Sequence, residues 1–257
     1  MLARELVGAA LIGACADRDL LYHSGMETAK ERLPAGLLRK AVIQSVVFFV
    51  LLGSLMFLPA GFGWRRGWLF LGVFLLCMAM SWAYLLRVNP EIFVARSKVR
   101  KDTKPWDKGM VVLIMLSFLA VFLVAGLDAG HGWSAAPLWV IALGYGFVAL
   151  GFVIFDWVSG VNKFAEPGVR IQSDRSQKVI DSGPYAVVRH PMYVGGSFLM
   201  TGMALALGSY AALIPVGIGL VTILVRTVLE DQTLQRELEG YKEYTSRVRY
   251  RMVPGVW

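Results

Sequence analysis

The sequence predicts an all-α fold: a polytopic membrane protein of about six transmembrane helices, closed by a C-terminal amphipathic helix. Three observations carry this. Hydrophobic residues make up 56% of the 257 residues and charged residues only 17%, where soluble proteins carry about a quarter. Apolar runs of about 20 residues, the length that crosses a bilayer, recur along the chain. Finally, the basic residues cluster in alternate connections, as the positive-inside rule requires.

In order, the predicted spans are Leu37 to Leu58, Gly67 to Leu86, Gly109 to Leu127, Ala136 to Val158, Pro191 to Gly208 and Tyr210 to Leu229. The last two are separated by Ser209 alone, so they form a tight hairpin, with Gly208 supplying the backbone freedom that ends the first helix. Six Lys and Arg lie up to Lys40, the connections carry two, seven, none, five and none, and six lie from Arg226 onward. This alternation puts both termini in the cytoplasm, with long basic cytoplasmic connections at Arg87 to Lys108 and Ser159 to His190. The net charge of +8 therefore reflects topology and not a nucleic-acid partner.

Leu6 to Ala14 is apolar and the run to Cys15 resembles a lipoprotein cleavage box, but Glu5 spoils the basic start of a signal peptide. Cleavage there would also invert every connection. Residues 1–36 read instead as a cytoplasmic or interfacial segment, 37–158 as a four-span scaffold, and 159–257 as cofactor-binding loop, hairpin and lid within one membrane domain. Cys15 and Cys77 lie far apart, and His23, His131 and His190 fall on separate connections, so neither a disulfide nor a metal site is expected. Trp64, Trp68, Trp106, Trp133 and Trp139 fall near span ends, where an indole suits the headgroup layer. Gln44, Ser54, Ser81 and Ser117 read as helix-packing groups. Asp156, near the inner end of the fourth span, must face a partner, water or a cavity.

Polar, aromatic and charged residues crowd from Asn162 onward. Pro191 in the first turn of the fifth span makes His190 the helix cap. A helix N-terminus at the membrane surface, beside Arg189 and followed by Gly195 and Gly196, can receive an anion and let it approach the backbone. The plainer alternative is that Arg189 obeys the positive-inside rule and the glycines pack helix on helix. The hairpin brings Arg189, His190 and Tyr193 toward Arg226, Glu230 and Asp231 at one polar cleft. Arg226 and Glu230, four apart, share a helix face and can pair. From Asp231 a charged helix follows with Leu234, Leu238, Tyr241 and Val248 at helical spacing, able to lie on the membrane or fold back as a lid. Tyr241 and Tyr244 can stack on a flat ring or anchor at the interface.

The run Gly183-Pro184-Tyr185 to Arg189-His190-Pro191-Met192-Tyr193-Val194-Gly195, with Arg226, Glu230-Asp231, Leu234, Tyr241, Tyr244, Val248 and Pro254, resembles the isoprenylcysteine carboxyl methyltransferase family, to which phospholipid N-methyltransferases are related. The resemblance covers about residues 162–254. It implies S-adenosylmethionine as cofactor, held from the cytoplasmic side by Tyr185, His190, Pro191, Tyr193, Gly195, Glu230, Asp231, Tyr241 and Tyr244. It implies that Arg189 and Arg226 lie near the reacting carboxylate of a lipophilic or prenylated acceptor drawn from the membrane. The acidic pair departs from the family's usual two glutamates, and Glu239 stands where an aromatic usually precedes the glycine. A carboxylate acceptor loses no proton on attack, and an arginine fork would orient it. An amine or phenol would need a base such as His190 or Glu230. The alternatives are an NADPH-dependent membrane reductase of the sterol-reductase type, for which Arg170, Arg175 and Lys178 offer charge but no dinucleotide glycine motif appears, and a non-enzymatic transporter or scaffold.

Overall fold

The structure, a computed structural model, describes residues 36–96 and 102–257. The chain divides into two compact units, Met1–Val42 and Ile43–Trp257. The expected N-terminal segment, with Cys15 and His23, lies outside the described residues except for Gly36. The second unit holds the site.

Eight α-helices are described: α1 (Leu37–Ala60), α2 (Arg65–Val88), α3 (Glu91–Arg96), α4 (Pro105–His131), α5 (Leu138–Val161), α6 (Pro191–Ala206), α7 (Leu213–Glu237) and α8 (Tyr241–Arg247). No strand occurs among the described residues. Val42–Ala60 of α1 and all of α2, α4, α5 and α7 are long and apolar enough to cross a membrane. Their outer faces stay apolar, with Leu58 76% and Leu76 60% exposed, a pattern that only a hydrocarbon solvent makes favourable. This is an integral membrane protein.

The expected fifth span is shorter than the rest. α6 has 16 residues, which at 1.5 Å per residue rise about 24 Å against a core of about 30 Å. Pro191 fixes its start, and Gly208 at φ +72° ends the turn that follows it. α7 then runs past Leu229 to Glu237, so the acidic pair projects from the same rod that crosses the membrane. The expected continuous helix after Asp231 is broken at Gly240, whose φ of +78° favours glycine. α8 therefore turns back, burying Tyr241, Tyr244 and Val248 against Leu234, Leu238 and Val179.

The main core gathers Leu52, Met56, Phe70, Phe74, Phe122 and Met203. α5 and α6 run antiparallel with their backbones nearly touching. A Cβ on Gly144 would meet the Ala206 nitrogen at 2.2 Å, and one on Gly202 would meet the Val148 nitrogen at 2.6 Å. Small residues serve this purpose in lipid, where close van der Waals packing holds helices together. At the end of the helices away from the site, buried Asp128 accepts the Ser134 amide at 2.7 Å and its hydroxyl at 2.6 Å, as well as the Ser209 hydroxyl. This ties α4 to the hairpin turn.

Candidate functional site

A cavity of about 460 Å³ opens where the ends of α5 and α7 meet the start of α6, the 162–190 connection and α8. Its outer wall is pinned by Arg170, which holds Glu166 through two bonds of 2.7 and 3.0 Å and reaches Asp174 at 2.7 Å and Asp102 at 3.0 Å. Gln172 Nε2 donates to the Phe164 carbonyl at 2.7 Å and closes the loop on itself.

His190 caps α6 with Pro191 behind it. The amides of Arg189 and His190 are already used, donating to the Tyr250 and Arg251 carbonyls at 2.9 and 2.8 Å. The C-terminal segment thus takes the two amides that precede α6.

Asp231 is fully buried and gathers six donated bonds. Arg189 Nε and Nη2 reach it at 2.8 and 2.9 Å, Gln235 at 2.9 Å, Arg251 at 3.0 Å, Tyr241 at 3.2 Å and His190 Nε2 at 3.3 Å. Arg189 Nη1 also donates to the carbonyls of Val248 and Arg249 at 2.9 and 2.7 Å. Its guanidinium has every edge occupied, so it braces the C-terminal segment and is not a free fork for a substrate.

Arg226 is committed as well. The expected pairing with Glu230 does not form: Arg226 holds Asp107 through Nε at 2.7 Å and Nη2 at 3.1 Å, and reaches the Pro167 carbonyl at 2.7 Å. Asp107, fully buried in the first turn of α4, outcompetes Glu230 because it presents both oxygens to the fork. Its second oxygen also accepts the Val169 amide at 2.7 Å.

Glu230 accepts the Tyr193 hydroxyl, and no cation pairs with it among the described residues. Adjacent helical residues lie about 100° apart, which is why Glu230 faces the cavity while Asp231 points into the C-terminal segment. The sequence-predicted residues therefore separate. Tyr185, Arg189, His190, Tyr193, Arg226 and Glu230, with Tyr241 and Tyr244, line the cavity. Pro191, Gly195 and Asp231 stand behind its wall. A Cβ on Gly195 would lie 3.1 Å from Ile154 and 3.2 Å from the Gly151 carbonyl, so that glycine serves helix packing and not a ligand's approach.

The tyrosines are tied together. Asn162 Nδ2 donates to the Tyr185 hydroxyl at 2.6 Å, and the Tyr244 hydroxyl donates to the Tyr185 carbonyl at 2.7 Å. Burial pushes the Tyr185 phenol up to about 12 and raises those of Tyr241 and Tyr244 still further. All three remain hydroxyl donors at neutral pH. The sequence reading missed Arg96, Asp107 and Asn162. Arg96 was absorbed into a basic connection, although Asp107, an acid two residues after Pro105 near a span start, gave a readable signal.

Residues 139–239 match the phospholipid methyltransferase family, the relatives of the isoprenylcysteine carboxyl methyltransferases. A probable 7-dehydrocholesterol reductase of Acanthamoeba polyphaga mimivirus is 34% identical over 88 residues, which cover 33% of this chain and 20% of that protein. The chain thus spans about a fifth of the length of this relative.

Proposed function

We propose that this protein is an integral membrane methyltransferase that uses S-adenosylmethionine and acts on a lipophilic acceptor, most simply a carboxylate, as in the isoprenylcysteine carboxyl methyltransferases. The observation that carries the reading is a coincidence of two maps. Phe155, Asn162, Tyr185, His190, Tyr193 and Glu230 all line the cavity and all lie within the stretch that matches the methyltransferase family.

The residues present suit such a cofactor. A cavity of about 460 Å³ falls within the usual range for small-molecule sites, roughly 300–1,000 Å³. Glu230, which feels Arg226 electrostatically but has no cation within ion-pairing distance among the described residues, suits the cationic part of the donor. S-adenosylmethionine, when bound, supplies a methyl group on a good leaving group, so the chain's work is alignment and exclusion of water. In this reading Glu230 and Tyr193 hold the donor, His190 and Tyr185 flank it, and Tyr241 and Tyr244 close the site from α8. Asp231, Pro191 and Gly195 position these groups from behind, as do Arg189 and Arg226 through their carboxylates. The acceptor would be a lipophilic small molecule or prenylated chain reaching the cavity from membrane lipid, with both termini and the site on the cytoplasmic side, and with no part for nucleic acid or metal.

The similarity to a probable sterol reductase favours one second reading, a nicotinamide-dependent membrane reductase. Calorimetric titration of the protein in detergent with S-adenosylmethionine, S-adenosylhomocysteine and NADPH separates them. Saturable binding of the first two alone is expected, and binding of NADPH alone would replace this proposal with the reductase.

A further inference from the structure

Arg96 closes the short helix α3, which packs through Ile92 onto Leu85 and Ala165, with Met192 alongside. That places its guanidinium on the cavity wall. Nε donates to the Ala165 carbonyl at 3.1 Å and Nη2 to the Ser159 hydroxyl at 3.1 Å, while the Phe155 ring centroid lies 4.5 Å from Cζ. Every one of these partners is neutral. Asp156 attracts it only from beyond ion-pairing distance and already accepts the Ser81 hydroxyl. The contrast with its neighbours is sharp: Arg170, Arg189 and Arg226 line the same cavity and each grips a carboxylate with two bonds. A sequestered cation without a counter-ion is unfavourable, and burial draws Arg96 down to about 10, where it is still charged at neutral pH.

The second observation is Tyr185. Its hydroxyl accepts from Asn162 at 2.6 Å, and among the described residues nothing accepts its proton. It is close enough to both Glu230 and Arg96 to interact with each electrostatically, and so lies between the cavity's acid and its cation. Asn162 fixes the phenol oxygen so that the free O–H is directed by elimination into the cavity that both residues line.

We propose that Arg96 and Tyr185 form an oxyanion subsite that receives the carboxylate or phosphate of the lipophilic acceptor. Calling the ligand an acceptor rests on the methyltransferase reading; the anion site itself does not. Glu230 and Arg96 then give one cavity two opposite demands, a cationic group at one contact and an anionic group at the other. Arg189 and Arg226 have their charges neutralised by Asp231 and Asp107, which leaves Arg96 as the arginine of this cavity wall without an ion pair among the described residues.

The test titrates the full-length protein in a neutral detergent, without methyl donor, with oleate, dioleoyl phosphatidic acid and oleyl alcohol. S-adenosylmethionine is titrated separately. At least one anion is expected to bind about tenfold or more tightly than the alcohol, with oleate or the phosphatidic acid identifying which oxyanion is preferred. R96M and Y185F should each weaken that anion by about tenfold to a hundredfold, the scale of charge-assisted hydrogen bonds, with R96K retaining part. Y185F removes one hydroxyl and leaves the Tyr244 bond to its carbonyl, so it keeps the question answerable should R96M fold poorly. S-adenosylmethionine affinity should stay within about twofold in R96M and R96K. Equal binding of alcohol and both anions would overturn the subsite, and so would an R96M protein that weakens S-adenosylmethionine instead of the anion, since the guanidinium would then serve the donor's own carboxylate. A wild-type protein that binds the anion but not S-adenosylmethionine would retire the methyltransferase reading and leave the subsite standing.

Discussion

Replacing Asp231 by Asn should destabilise the protein far more than replacing its neighbour Glu230 by Gln, although the two residues are adjacent and the second faces the cavity. Asp231 is 0% exposed and neutralises Arg189, itself only 7% exposed. The Asn variant leaves a buried guanidinium without its counter-charge, and breaking a buried pair from one side costs about 3–5 kcal/mol. At about 2–4 °C per kcal/mol for a chain of this size, the melting point should fall by about 6–20 °C. Glu230 accepts a single hydroxyl, from Tyr193, and pairs with no cation among the described residues, so E230Q should stay within about 3 °C of wild type while losing affinity for a cationic ligand. Intrinsic tryptophan fluorescence during heating in detergent, with size-exclusion profiles before and after, reads the first quantity; calorimetry with S-adenosylmethionine reads the second. A D231N protein that melts with the wild type would refute the assignment of Asp231 as the brace of the C-terminal segment. If it also failed to bind the cofactor, the two acids would share one role.

Asp107→Asn and Arg226→Met should each lower stability by about 3–5 kcal/mol, but the double variant should lose clearly less than their sum, because no unpaired charge remains; additive melting shifts would contradict the buried bidentate pair. Gly202→Leu, whose Cβ would sit 2.6 Å from the Val148 nitrogen, should cost about 1–3 kcal/mol or more through forced helix separation. Gly196→Ala, with nothing within 4 Å of the new Cβ, should be neutral or slightly stabilising, and equal melting points for the two would undo the packing argument.

Hydropathy made the helical rods legible because an unbroken apolar run of about 20 residues can satisfy its backbone in lipid only as a helix, and the 191–229 hairpin, its His190 cap and the Gly208 turn followed from proline and glycine chemistry. The meeting of Arg189, His190 and Tyr193 with Glu230 and Asp231 was legible too, since a hairpin must return to its starting plane. What the sequence could not reveal was how the charges pair. Arg226 has Glu230 one turn away on its own helix, yet the partner it takes is Asp107, 119 positions distant, and helical spacing contains no information about a neighbouring rod. Gly195 had two readings, ligand approach and packing, and only the position of α5 chose between them. Arg96 was hidden for a different reason: in a connection rich in basic residues, topology accounts for every cation, so none of them stands out as turned inward. The short α6 was overestimated because apolar residues continue through the turn to Gly208 after the helix itself has ended.

The glycine contact between α5 and α6 has a bearing on traffic. Where two backbones touch, as at Gly144 and Gly202, no rotamer can swing aside to make a gap, and separating the rods would forfeit their attraction along the line from Gly144 to Gly195. If the proposed acceptor carries a hydrocarbon tail, that tail would not part these two helices. Its passage to the cavity would lie along another flank, where the walls are built from side chains that can yield.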